Sequence, residues 1–330
     1  MLMKSAIYEV FFRDGSYALD FGFTLRHMEI IGAAMERAGF PYVEIGHGYG
    51  LGAVRAGYPA AAQTDKEYLK AASSVFRNTA FGVFFIPGIG AIDDIRMALD
   101  HGIRFISIGQ NITAIEEAEE AVRFAGQQGL QTTVCMMKAH LPDDAAFAEK
   151  VKRIAGWEPG CICIMDSAGC LTPGMVRRKV EQIRMAGAAA GFHGHNNLQL
   201  ATANALAAAD AGAMRLDASL GGLGRSAGNA HTEILSALFE RLGRPLPPSL
   251  AQIEPVITAV ETAEIDMPLA VPLTDILLGL YGLHSSIAPM LDEEAARHGV
   301  AKALLYETMA RNNPINPTRA EIAAAAAALR

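Results

Sequence analysis

Two histidines two residues apart, His193 and His195, open the stretch from Gly191 to Asn229. Residues at i and i+2 of a strand point to the same face. An apolar-rich helix then reads from Asn197 to Ala211, a short strand from Met214 to Leu220, and a glycine-rich loop closes the segment. Two imidazoles on one strand face of an α/β frame are a layout for a metal centre. Asp14, in the turn Arg13-Asp14-Gly15-Ser16, is the partner carboxylate. Two histidines and one carboxylate with open positions suit a divalent metal acting as a Lewis acid. Isolated histidines are more often hydrogen-bonded core residues. Here the spacing, the strand end and the carboxylate favour the metal.

The elements that must bring these residues together repeat. Short apolar runs at Ser5–Phe12, Tyr42–Ile45, Thr79–Ile86, Ile103–Ile108, Leu130–Met137 and Cys161–Met165 read as strands, followed by the two already named. Helical spacing fills the gaps, as in Phe23–Ala38, Thr64–Arg77 and Thr172–Ala189, and a last barrel helix follows from Ala230 to Leu242. The strands rarely alternate in polarity, as expected when both faces are buried. Eight such βα units over about 240 residues predict an α/β fold, a (β/α)8 TIM barrel. Strands 1 and 7 are then separated only by strand 8, so Asp14 and the histidines can converge. The barrel is expected over residues 1–245, and a small all-helical C-terminal domain over 246–330, after the Pro245–Pro248 linker. The irregular stretch up to Ala62 is too long for an ordinary connection and reads as functional.

Active sites of such barrels lie at the C-terminal ends of the strands. The other polar residues expected there are Glu44, His47, Lys138, His140, Asp166, Ser167 and Asp217. Glu44 and Asp217 are as readily structural carboxylates tying loops to the rim. Cys161 and Cys163 share a face, but their strand is apolar and they read as core. The loop GGLGRSAG lacks the first-βαβ context of a dinucleotide site and would present backbone N–H groups to an anion.

Composition bounds the rest. Of 330 residues, 51% are hydrophobic, so a sizeable core is available. The net charge is −7 with no basic run, which gives nucleic acid or an anionic membrane no electrostatic basis. No run approaches the roughly 20 apolar residues of a spanning helix. The N-terminus meets charge too early for a signal peptide, and the four cysteines lack CxxC spacing, so the chain is expected to be cytoplasmic with reduced thiols.

The chain resembles the 4-hydroxy-2-oxovalerate aldolases, within the isopropylmalate synthase and HMG-CoA lyase-like barrels. The matching pieces are RDGS at Arg13–Ser16, EIGHGYGLG at Glu44–Gly52, PGIG at Pro87–Gly90, DSAG at Asp166–Gly169 and HGHNNL at His193–Leu198. RLDASLGGLGRSAGNA at Arg215–Ala230 is the most specific, and GLYGLHSS at Gly279–Ser286 lies in the helical tail. The resemblance implies a divalent-metal aldolase that reversibly cleaves a 4-hydroxy-2-keto acid to pyruvate, or a close 2-keto acid, and an aldehyde. It implies Mn2+, with Mg2+ or Co2+ as alternatives, on Asp14, His193 and His195, with Asn229 as an extra ligand. Arg13 would stabilise the enolate oxygen, and Ser167 with nearby backbone would help hold the keto acid. Such enzymes often bind an acylating aldehyde dehydrogenase through the tail, and a homo- or hetero-oligomer is expected.

Two departures stand out. The residue after RDGS is a histidine in the family and Tyr17 here, whereas the family tyrosine before the tail Ser-Ser pair is His284 here. The imidazole and phenol look exchanged, with His284 as the acid/base and Tyr17 orienting the substrate hydroxyl; an ordinary His pKa near about 6.5 suits a base. Strand 3 ends in Phe84-Phe85-Ile86, where the family has smaller residues. Phe84 and Ile86 would reshape the aldehyde pocket, toward an aromatic or biosynthetic aldehyde, although Phe84 also reads as barrel core. Two other readings remain open: a CoA-linked Claisen lyase or synthase of the same superfamily, and a non-catalytic metal-binding relative. The lyase reading lacks its cysteine in the Gly221–Asn229 loop.

Overall fold

The computed structural model describes residues 5–268, 270–313 and 317–330. Its strands are β1 (Ala6–Glu9), β2 (Tyr42–Ile45), β3 (Ala80–Phe85), β4 (Phe105–Asn111), β5 (Gln131–Met137), β6 (Cys161–Asp166), β7 (Ala190–Gly194) and β8 (Arg215–Ala218). All pair in parallel in chain order, and β8 closes onto β1 with Ala6 opposite Arg215. Helices cover the outside, giving the expected (β/α)8 barrel.

Two boundaries differ in ways that matter to the site. β1 stops at Glu9, short of the expected Phe12. The chain turns there, with Arg13 N and Asp14 N both donating to Val10 O at 3.1 and 2.7 Å. That turn lifts Arg13 and Asp14 onto the barrel mouth. β7 ends at Gly194, so His195 lies one residue past the strand and is held by a bridge to Asn229. The following helix begins at Ala201 rather than Asn197, because Asn196 Oδ1 accepts from Ala201 N at 3.2 Å and Gln199 adopts a left-handed backbone.

The barrel interior is divided. One half is apolar, where Phe84, Cys135, Cys163 and Met165 pack together. At the base, Tyr8 stacks on Tyr42 at 4.0 Å with Phe105 edge-on to both. The other half carries buried charge, described below. Helix Leu250–Thr262 places Ile253, Val256 and Val260 in the barrel's own hydrophobic cluster. A boundary at 245/246 therefore detaches a helix that belongs to the barrel wall. The tail's separate core gathers Ile276, Leu277, Leu280, Leu291, Leu305, Tyr306 and Ile322, with Ala237 and Leu250 joining it from the barrel side. No helix among the described residues is long and apolar enough to cross a membrane.

Glu9 closes the wall between β1 and the loop after β8. Its Oε1 accepts from Phe11 N and Leu220 N at 3.0 and 3.1 Å, and Oε2 accepts from Thr232 Oγ1 at 2.6 Å. Burial outweighs these bonds and pushes its pKa up to about 8. An acid whose pKa is raised on folding stabilises the fold fully below its unfolded pKa. That stability is lost as pH rises through the folded pKa. Glu9 thus costs stability between about 4.5 and about 8, by up to roughly 1.4 kcal/mol per pH unit. Glu9→Gln removes this slope, so urea melts of the metal-free protein at pH 5.5 and 8.5 should show the variant gaining on wild type at the higher pH. Parallel profiles would refute the assignment.

Candidate active site

Asp14, His193 and His195 converge at the mouth, with one ligand atom from each lying within 4.8 Å of the others. All three are buried, at 1%, 1% and 8% exposure. His193 Nδ1 lies 3.1 Å from Asp217 Oδ2, and its Nε2 lies 3.4 Å from Asp14 Oδ2. With Nδ1–H donated to Asp217, Nε2 confronts a carboxylate, and it has no hydrogen-bond partner. Such a pair calls for a cation between its members. The pKa of His193 registers this demand. Burial alone would lower it, but Asp14 and Asp217 together raise it to about 9. His195 Nδ1 donates to Gly228 O at 3.3 Å, and burial lowers its pKa, leaving a neutral ring with the Nε2 lone pair free. Asn229 Nδ2 donates to Asp14 Oδ2 at 2.7 Å, while its buried Oδ1 has no partner. Asp14, His195 and, once its Nε2 proton is displaced, His193 fit a divalent cation with open positions; Asn229 turns its Nδ2 to Asp14.

Beneath these residues runs a closed ring of buried charge. Arg13 Nε donates to Glu44 Oε1 at 2.7 Å, and its NH1 pairs with Asp14 Oδ1 at 3.1 Å. Arg215, inside the barrel and 4.3 Å over the Tyr8 ring, donates from Nε to Asp217 Oδ1 at 2.6 Å and from NH2 to Glu44 Oε2 at 3.4 Å. Ser107 Oγ also donates to Glu44 Oε2. Glu44 and Asp217 therefore tie the site's cations and His193 from within the barrel, instead of fastening loops to the rim. Burial of Asp14 would raise its pKa, but Arg13 and His193 beside it hold the carboxyl well below the usual range. The same pairings keep Arg13 charged against the cost of burial.

A cavity of about 720 Å³ opens above the triad, lined by Arg13, Asp14, Tyr17, Phe84, Ile86 and Ser167 among others. The Arg13 guanidinium lies 4.6 Å over the Phe84 ring, so Phe84 is both barrel core and cavity floor. Ser167 Oγ accepts from Lys138 N at 2.9 Å, joining the rims of β5 and β6. Two glycines are required by contact. A Cβ on Gly48 would fall 2.5 Å from the Tyr17 ring, and one on Gly224 would fall 2.2 Å from Asn229 Nδ2.

His284 is not among the cavity-lining residues. It is exposed and caps the short turn Ser285–Ile287, where its Nδ1 accepts from Ser286 N at 3.2 Å. Its neighbours Leu283 and Ile287 are anchored in the tail core. The expected exchange of imidazole and phenol is thus not what this arrangement brings together; only Tyr17 reaches the cavity. Burial, then the charge of Asp14, raises the Tyr17 pKa, so the phenol is protonated at neutral pH. Tyr49, Tyr58, Gln110 and Arg225 also line the cavity and were not singled out in sequence. The two tyrosines come from the long loop after β2, whose length marked it as functional. His47 serves that loop as a staple, with Nε2 on Pro59 O at 3.0 Å, Nδ1 accepting from Tyr49 N, and its ring stacked on Phe21. His140, Asp166 and Cys170 form a second group with metal-ligand spacing, but both Asp166 oxygens already accept backbone N–H bonds, from Cys170 and Leu171.

The chain is similar to the 4-hydroxy-2-oxovalerate aldolase of Alkalilimnicola ehrlichii, 34% identical over 309 residues that cover 92% of this chain and 90% of that one. A 4-hydroxy-2-oxovalerate aldolase 2 of Nocardia farcinica is 36% identical, over 87% of this chain and 84% of the relative. Among solved structures, the HMG-CoA lyase of Bacillus subtilis shares the fold with a TM-score of 0.66 at 20% identity, covering 82% of this chain and 97% of its own. The carboxyl transferase domain of Rhizobium etli pyruvate carboxylase, solved with pyruvate, aligns with a TM-score of 0.65 at 15% identity, over 94% of this chain and 57% of that one. The HMGL-like family model matches residues 4–265, and the chain belongs to the HMGL-like family.

Proposed function

We propose that this chain is a class II aldolase that cleaves a 4-hydroxy-2-keto acid to pyruvate, or a close 2-keto acid, and an aldehyde. The observation that carries this reading is the meeting of Asp14, His193 and His195 with the Arg13 guanidinium under one cavity. A divalent cation held by Asp14, His193 and His195, with Asn229 Oδ1 as a further donor and Mn2+ as the preferred ion, would supply Lewis-acid polarisation of the keto-acid carbonyl. Arg13 lines the cavity and has a buried NH2 without a partner, which would stabilise the enolate oxygen as the C–C bond breaks. Ser167 Oγ accepts from Lys138 N, so its own proton is free to bind the keto acid. Phe84 and Ile86 shape the apolar wall and keep water from the enolate.

Tyr17 is the residue we assign to the substrate 4-hydroxyl. Its Oη carries a proton at neutral pH, so it donates a hydrogen bond to the substrate 4-oxygen in both directions, while the hydroxyl proton leaves to solvent through the open cavity in cleavage and returns from solvent in condensation. Tyr17→Phe should lower kcat for cleavage by about 10²–10⁴-fold while leaving exchange of the pyruvate methyl protons in D2O nearly intact. His284→Ala should cleave within about twofold of wild type, since His284 is not a cavity residue. Equal losses in both variants would restore the tail histidine to the chemistry. A docked acylating aldehyde dehydrogenase on the helical tail belongs to the same proposal. The reading itself is tested by pyruvate release from 4-hydroxy-2-keto acids with Mn2+ and with EDTA. Release only with the metal is expected; no release from any such acid would overturn it.

A further inference from the structure

We propose that the aldehyde fragment of the substrate bears an anionic group, a carboxylate or a phosphate, and that Arg225 receives it; this rests on the aldolase reading above. The cavity is lined by the cations Arg13, Lys138 and Arg225 and by one carboxylate, Asp14. Arg13 is spent on Asp14 and Glu44, and Asp14 in turn on Arg13, His193 and Asn229. Nothing comparable neutralises Arg225. Among the described residues its guanidinium has no ion pair and no hydrogen bond. It lies over the rings of Tyr17 and Tyr49, at 5.1 and 5.8 Å from their centroids. Two aromatic faces fix the guanidinium by cation–π attraction and leave its N–H edges free. Arg225 is exposed at the cavity mouth; an arginine laid on two rings there, without a carboxylate partner, is a fork for bidentate binding of an anion.

Its position assigns the fork to the aldehyde end. Gly224, the preceding residue, lies against Asn229 and Asp14, where an added Cβ would be 2.2 and 3.4 Å away. Arg225 therefore leaves the metal residues on the Tyr17 side, next to the group assigned to the 4-hydroxyl. Lys138 lies on the opposite side, where its backbone N–H binds Ser167, the residue assigned to the keto acid. The keto-acid carboxylate and the distal anion thus have separate partners. The cavity of about 720 Å³ also exceeds what a five-carbon hydroxy-keto acid fills. A short neutral aldehyde would leave Arg225 and Tyr58 without a partner.

The test is condensation of pyruvate with matched aldehydes in the Mn2+-loaded enzyme: succinic semialdehyde against butanal, glyceraldehyde 3-phosphate against glyceraldehyde, and benzaldehyde. The anionic member of at least one pair should be favoured roughly 10–100-fold in kcat/KM, and the preferred pair tells carboxylate from phosphate. Arg225→Gln should collapse that ratio through KM, and Arg225→Lys should restore part of it. Ratios near one in wild type, a ratio unchanged in Arg225→Gln, or preference for benzaldehyde would overturn the proposal. Exchange of the pyruvate methyl protons in D2O, measured without aldehyde, separates the two readings. If exchange occurs and the ratios are flat, only the anionic aldehyde falls. If exchange is absent, the aldolase reading falls and takes this proposal with it.

Discussion

Asp14→Asn is expected to weaken Mn2+ binding at least roughly a hundredfold and to lower kcat/KM for retro-aldol cleavage by about 10³-fold, or about 4 kcal/mol of barrier. The substitution is nearly isosteric, so its effect is electrostatic. Asp14 is held ionised by Arg13 and His193 despite full burial, and replacing it removes a whole negative charge at every working pH. With its oxygen in the Oδ2 place the amide can still accept from Asn229 Nδ2, but its NH2 then meets Arg13 NH1 in the place of Oδ1. The variant therefore loses the ion pair with Arg13 and keeps the bond from Asn229. Two readouts distinguish this from a merely destabilised protein. The metal-free variant sets its own Tm baseline, and above that baseline the stabilisation by added Mn2+, about 2.7 kcal/mol at a hundredfold excess over Kd in wild type, should fall below about 0.5 kcal/mol. Retention of the metal-induced shift in Asp14→Asn would remove this carboxylate from the site.

The residues of that triad were legible in sequence because type and spacing carried the signal together. A two-residue period places His193 and His195 on one side, and closure of eight βα units brings β1 within one strand of β7. The strand positions were legible for the same reason; β2 is found at Tyr42–Ile45, as the apolar run implied. What could not be read was the pairing of buried charges. Arg13 meets Glu44 across 31 residues and Glu44 meets Arg215 across 171, and no local pattern marks such partners. Tyr49 and Tyr58 lie in a loop without periodicity, so its length announced a role but not which side chains serve it. Arg225 was visible only as a member of a glycine-rich loop, where backbone N–H groups were the evident anion binders; its unpaired state is a property of the folded cavity. His284 is the opposite case. The motif around it was readable, but its exposure is decided by how Leu283 and Ile287 anchor in the tail core.

Arg13→Lys should cost about 10²–10³-fold in kcat, with little change in KM for the keto acid, although it preserves the charge. The guanidinium serves three directions at once. Nε is bound to Glu44 at 2.7 Å, NH1 to Asp14 at 3.1 Å, and NH2 is buried without a partner. The Phe84 ring, 4.6 Å below, fixes the plane in which the three lie. A lysine has one nitrogen on a flexible stem. Drawn to Glu44 and Asp14, it satisfies the buried carboxylates and leaves the third direction empty. The two existing ion pairs and the enolate contact are thus separable. Arg13→Ala would leave Glu44 and Asp14 as underpaired buried charges, a loss of about 3–5 kcal/mol of stability that would confuse the measurement. Arg13→Lys avoids most of that, so its defect reports on the reacting oxygen. Because the enolate is common to both half-reactions, pyruvate methyl exchange in D2O should fall by the same factor as cleavage. A lysine variant with near-wild-type exchange would mean that the ion pairs, and not the third N–H edge, are what Arg13 contributes.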